Sequence, residues 1–283
     1  MATWFRYGRG LALGVMVGWV CLGFGFPWLV RGLLDLNDYR IQWYFVLLAT
    51  SGLALMGGGI AEFVVRDGPF EFPRATFDPK KAGLLFTDRS LLLATLGYVG
   101  HNIELFSMWN WFADFWISQV PSMGRTESFF FTFGVVGIGA VGCALGGIFG
   151  DRYGRTTFCI ISLAVSSLCS LVIGVVTKTP GALGWSVFIA LLWGMFIIAD
   201  SGCYSTMTVE LAPAQYVGTL LTMQQAIGFI ATVPTISLIP TVRSAISYQW
   251  AFAVIAPAPI LAFVAMVGLR MLPESKKIAM GRK

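Results

Sequence analysis

The sequence predicts an all-α polytopic membrane helix bundle of about eight transmembrane helices, and three observations predict it. First, of 283 residues 57% are hydrophobic and only 12% charged, with a mean hydropathy of +0.76. Soluble domains carry about 25% charged residues, and no water-facing surface hides this much apolar side chain. Second, the apolar residues gather into eight runs, near 11–34, 43–65, 91–119, 128–150, 157–177, 184–206, 217–239 and 250–271. Each approximates the roughly 20 residues a helix needs to cross about 30 Å of hydrocarbon. The runs are too long and too uniformly apolar for barrel strands, and an open strand would leave unpaired backbone groups in lipid.

Third, the net charge of +5 is unevenly placed. With the N-terminus cytoplasmic, that side holds Arg6, Arg9, Arg66, Arg74, Lys80, Lys81, Arg89, Arg152, Arg155, Arg270, Lys276, Lys277, Arg282 and Lys283, while Arg31, Arg40, Arg125, Lys178 and Arg243 fall opposite. This asymmetry follows the positive-inside rule, predicts both termini in the cytoplasm, and accounts for the basic residues without a nucleic-acid partner. The first run is long for a signal-peptide core and no A-x-A-like cleavage site follows, so it reads as a retained helix. All five cysteines lie within the runs and none forms C-x-x-C, which reads as apolar packing.

Along the chain, residues 66–90 interrupt the runs with three prolines and five basic residues. They read as a cytoplasmic linker between a two-helix segment, 1–65, and a six-helix segment, 91–272, before a basic cytoplasmic tail at 273–283. In the fourth run, Gly142, Gly146 and Gly150 recur every fourth position and predict a close helix-helix contact. Gly137, Gly139 and Gly142 spell G-x-G-x-x-G, but no strand precedes them, so packing is the reading rather than a dinucleotide site.

Few residues are equipped for chemistry. His101 is the only histidine. That excludes histidine-rich metal sites, and with no Walker A sequence present it argues against an ATP-driven pump, an intramembrane metalloprotease or any other enzyme. No cofactor or metal is expected. Ionisable groups at membrane depth cost about 2.5 to 3.5 kcal/mol each, and so they usually face a bundle interior or an aqueous cavity. These and the other polar groups concentrate on the third run, with His101, Asn102, Glu104, Asn110 and Asp114, on the sixth with Asp200, and on the seventh with Gln224 and Gln225. His101 and Glu104, three apart, share a helix face and are candidates to share a proton, the alternative being a neutralised packing pair. Asp200 and Gln224 fall at similar depth and are candidates to line one cavity, against a plain helix-helix hydrogen bond. Trp109, Trp111, Phe112, Phe115 and Trp116 read as lipid packing or an outer interfacial belt, with Trp109 a candidate cavity wall.

After the fourth run stands Gly147-Ile-Phe-Gly-Asp151-Arg152-Tyr-Gly154-Arg155. This G-x-x-x-D-R-x-G-R spacing resembles the cytoplasmic-loop signature of the major facilitator superfamily, secondary transporters with two six-helix halves. The resemblance implies that Gly147, Asp151, Arg152, Gly154 and Arg155 belong to a cytoplasmic gate of charge-assisted bonds. GYVGHNIELFSMWNW at 97–111, ADSGCYS at 199–205 and VGTLLTMQQAIGF at 217–229 resemble stretches of a poorly characterised bacterial group within that superfamily. The signature normally follows helix 2 or helix 8 of twelve. Its place here implies helices 5 to 12, an N-terminally incomplete first half, and missing helices supplied by a longer chain or another subunit. The implied function is movement of a small solute by alternating access in the inner membrane, with His101, Glu104, Asp200, Gln224 and Trp109 on a substrate or proton pathway. The alternative is a truncated, non-transporting remnant or a structural membrane partner.

Overall fold

The computed structural model describes residue 4 and residues 9–36, 43–66, 68–69 and 78–282. Eight long helices follow one another among these residues. They are α1 (Arg9–Leu36), α2 (Trp43–Phe63), α3 (Arg89–Gln119), α4 (Arg125–Tyr153), α5 (Arg155–Val176), α6 (Leu183–Leu211), α7 (Val217–Ala245) and α8 (Tyr248–Met271). Every expected run is a helix. Seven of them, all but α3, are long and apolar enough to cross a membrane by composition alone. The 31-residue α3 falls short because it carries the polar residues, and it is the central helix, packed on α4, α6, α7 and α8.

Much of the expected linker, residues 67 and 70–77, lies outside the described residues, as do Arg6, Arg40 and Arg74. In its described C-terminal part a 3-10 turn at Pro79–Gly83 runs into a helical turn at Leu84–Thr87. Asp88 then caps α3, accepting from the Ser90 and Leu91 amides at 2.9 and 3.1 Å and from the Ser90 hydroxyl at 2.6 Å. Partial burial pushes its carboxyl up, but those bonds and the charge of Lys277 outweigh it and hold the group below its ordinary 3.8. The tail is not a free end either. Pro273–Gly281 folds back on the bundle, with Ser275 and Ile278 fully buried.

Small residues set the tightest contacts. A Cβ at Gly142 would lie 2.0 Å from the Met195 carbonyl oxygen and one at Gly146 2.1 Å from that of Ala199, so α4 touches α6 backbone to backbone. The adjoining face of α4 receives α1. Gly14, Gly18, Cys21, Gly25 and Gly32 are the buried positions of α1, spaced alternately four and three apart with one step doubled, which is the seam of left-handed helix packing. At one end of this seam Asp35 accepts from the Thr126 hydroxyl at 2.6 Å and lies 3.8 Å from the Arg125 guanidinium. By contrast α2 has no buried residue and packs chiefly on α1.

The aromatic group overturns its expected placement. Phe112, Phe115 and Trp116 are fully buried and form the bundle core with Trp193 and Phe252, not a lipid belt. Trp109 stacks on Phe24 of α1, ring centroids 4.4 Å apart. Trp111 donates at 2.9 Å to the Ile236 carbonyl, the acceptor that Pro240 within α7 leaves without an intrahelical donor. These rings turn inward because α4, α6, α7 and α8 pack against them, while Leu96, Asn110, Asp114 and Ser118 mark a stripe of α3 that stays exposed.

Gly142→Ala is expected to lower stability by about 1–3 kcal/mol by forcing α4 from α6, whereas Gly134→Ala, which meets nothing within 4 Å, leaves it unchanged. Melting in detergent micelles distinguishes the two. Asp88→Asn removes a carboxylate whose native value is depressed, so its contribution is present above the unfolded value and fades as pH falls through the folded one. Wild type and variant should differ at neutral pH and converge below pH 3.8.

Candidate functional site

The polar residues of α3 divide between two partners. His101 Nδ1 lies 3.1 Å from Asp200 Oδ1, each side chain 1% exposed. The Tyr204 hydroxyl donates to the other oxygen of Asp200 at 2.7 Å, and its ring sits 5.2 Å from the imidazole. Asp200 occupies the one residue between Leu183–Ala199 and Ser201–Leu211, the two segments of α6. The imidazole-carboxylate pair is thus set at the junction of the two α6 segments, against the middle of its central neighbour.

Glu104 turns elsewhere. Its carboxylate oxygens accept from the Trp193 indole of α6 and the Ser166 hydroxyl of α5, both at 2.9 Å. Sequence spacing pairs His101 with Glu104, but the imidazole reaches across to Asp200 and the carboxylate is held by two neutral donors. Helix spacing states which residues share a face, while the neighbouring helices determine which of them meet. On the α7 side, Tyr98 donates to Gln225, which in turn donates to Ser205 of α6 at 3.3 Å. Gln224 is fully buried, and neither of its side-chain polar atoms has a partner among the described residues. Trp109 does not join this cluster; it belongs to the contact with α1.

A second cluster holds the loop motif. Arg155 Nη2 bonds Asp151 Oδ1 at 2.9 Å, and its Nη1 lies 3.3 Å from Glu210 Oε1 at the end of α6. The Ala279 amide donates to Glu210 Oε2 at 3.1 Å, and Arg282 donates to the Asp151 carbonyl at 2.7 Å. Gly154 joins α4 to α5 at φ 102°, a conformation that side chains with a Cβ rarely adopt, which explains glycine between the two arginines. Arg152 points away, its guanidinium 5.4 Å above the Tyr153 ring. Gly147, with Gly146 and Gly150, lines a narrow cleft where α1 meets the end of α4.

Residues 97–281 match the family model described as sugar (and other) transporter. The chain belongs to that family, within the major facilitator superfamily. The match runs from the Gly97 turn of α3 to the folded-back tail and so contains both clusters of this transporter save Arg282. No curated protein matches the chain. Sequence reading of the transporter missed Ser166, Trp193, Tyr204, Glu210 and the Ala279 amide. Tyr204 stands one helical turn beyond Asp200 and was within reach of an i, i+4 reading. Glu210 lay beyond the expected end of its run, and no local pattern marks a serine or tryptophan as a carboxylate's donor.

Arg155→Gln leaves Asp151 and Glu210 without their shared guanidinium. It is expected to cost about 1.5–3 kcal/mol, read as a lowered melting temperature in micelles, and Arg152→Gln to cost under about 0.5 kcal/mol. Equal losses would refute the assignment of the network to Arg155.

Proposed function

We propose that this chain moves a small solute by alternating access and couples that movement to protons through His101 and Asp200, with Glu104 contributing. The observation that carries the reading is the imidazole-carboxylate pair buried across α3 and the break in α6. A membrane protein retains such groups against their insertion cost chiefly where an ion or polar solute must pass. With the pair intact, a charge-assisted bond ties α3 to α6. A proton delivered to Asp200 replaces it with a weaker neutral bond and frees the α6 segments to reorient about their junction.

In this reading α1 and α2 are helices 5 and 6 of the twelve-helix pattern, residues 66–90 connect the halves, and α3 to α8 form the C-terminal half. The Asp151 end is cytoplasmic, in accord with the basic residues gathered there. The Asp151-Arg155-Glu210 network then serves as the gate on that side, and Gln224, unpartnered beside the charged pair's helices, offers both a donor and an acceptor to the solute. Inner-membrane location belongs to the same reading. A second reading, a non-transporting structural partner, is favoured by α2, whose side chains are all at least partly exposed.

Proteoliposomes containing the purified chain and an internal pH dye decide between these. A panel of pentoses, hexoses and polyols is added outside, and both solute uptake and proton entry are followed. At least one solute is expected to bring protons with it, Asp200→Asn to cut proton-coupled uptake at least about tenfold, and Glu104→Gln to reduce it. Uptake that survives both substitutions unchanged removes the proton role. No uptake of any solute favours the structural partner.

A further inference from the structure

At the middle of the α1–α4 seam two thiols from segments 122 residues apart come together, Cys21 Sγ and Cys143 Sγ, separated by 3.9 Å and both buried. The contact exists because the seam is built of small residues: a Cβ at Gly14 would lie 2.3 Å from the Cys143 carbonyl oxygen, and one at Gly18 3.2 Å from the Ala140 Cα. A sulfur-sulfur bond is about 2.05 Å long, so bonding requires the two sulfurs to swing together by about 2 Å about their Cα–Cβ bonds. Neither thiol takes part in the charged clusters.

We propose that Cys21 and Cys143 are an oxidisable pair whose disulfide fastens α1 to α4, with hydrogen peroxide, a small neutral molecule able to enter the apolar seam, as the oxidant. One thiol attacks a peroxide oxygen as its thiolate, breaking the O–O bond to give a sulfenic acid, and its proton joins the departing hydroxide as one water. The second thiol then attacks the sulfenic sulfur, forming the S–S bond and breaking S–O, so that a second water leaves with the thiol proton. Two thiols lose two electrons in all and one peroxide is reduced to two waters. The bond joins the two-helix segment to the six-helix segment at mid-membrane. Any movement of one against the other stops until a reducing thiol reopens it.

The bond itself follows from the geometry alone, and only its effect on transport rests on the function proposed above. A second pair, Cys159 and Cys203, interacts between α5 and α6, so the test uses a chain carrying Cys159→Ser, Cys169→Ser and Cys203→Ser. The protein in micelles is treated with hydrogen peroxide for hours, blocked with N-ethylmaleimide, digested and analysed by mass spectrometry. A linked peptide containing Cys21 and Cys143 is expected, absent after dithiothreitol and absent in Cys143→Ser. The melting temperature is expected to rise by about 5–10 °C, reversibly. In proteoliposomes, peroxide is expected to slow uptake at least about tenfold and dithiothreitol to restore it.

Absence of the linked peptide overturns the proposal, and so does a linked peptide with no rise in melting temperature. Uptake unaffected by a bond that has formed overturns the lock. If the reduced chain carries no solute at all, the transport reading falls, while the peptide and the melting shift still decide the bond.

Discussion

A carboxylate taken into hydrocarbon needs a partner before the helices around it can close, and the arrangement of this bundle turns on how Asp200 and Glu104 find theirs. Asp200 takes an imidazole and a phenol, Glu104 an indole and a hydroxyl. Supplying these donors brings together α3, α5 and α6. With α4, α7 and α8 also packed on α3, the aromatic residues of its inner face become core. The centre of the molecule is therefore held by polar bonds of high value, and its periphery by lipid-facing apolar surface.

The second organising force is close backbone approach. Lipid tails are as apolar as leucine, so helices in a bilayer gain little by hiding hydrophobic side chains and associate through packing. Here α4 carries that load on two faces, meeting α6 through Gly142 and Gly146 and α1 through the small-residue seam. Toward the Asp35 end of the α1 seam the rings of Phe130 and Phe133 fill the spaces beside Gly32 and Gly25, and Trp28 stacks on Phe129. The thiol pair lies within the stretch of that seam where Gly14 and Gly18 bring the two backbones together.

Helix positions were legible because each rests on a local quantity, the length of an apolar run, and all eight runs became helices. The G-x-G-x-x-G glycines were also read correctly as packing, since their neighbours are apolar on every side. The interior geometry was less legible. His101 and Glu104 share a helix face as their spacing says, yet they bond to different helices. The tryptophans of α3 resemble an interfacial belt by composition, and only the helices packed on the inner face of α3 turn them inward. The loop motif was legible as a motif, while Glu210 and the Ala279 amide, which complete it, lie 55 and 124 residues beyond Arg155.

The sequence by itself determined that this chain lives in a membrane as a helical bundle, which residues bear its buried charge, and to which superfamily its loop motif points. Those properties follow from composition and spacing, which the bilayer reads one helix at a time. Only the tertiary structure decided who partners whom: His101 with Asp200, Glu104 with Ser166 and Trp193, Arg155 with Glu210, and Cys21 with Cys143. A bond between helices depends on rotation, tilt and depth of both, and no single stretch of sequence carries that information.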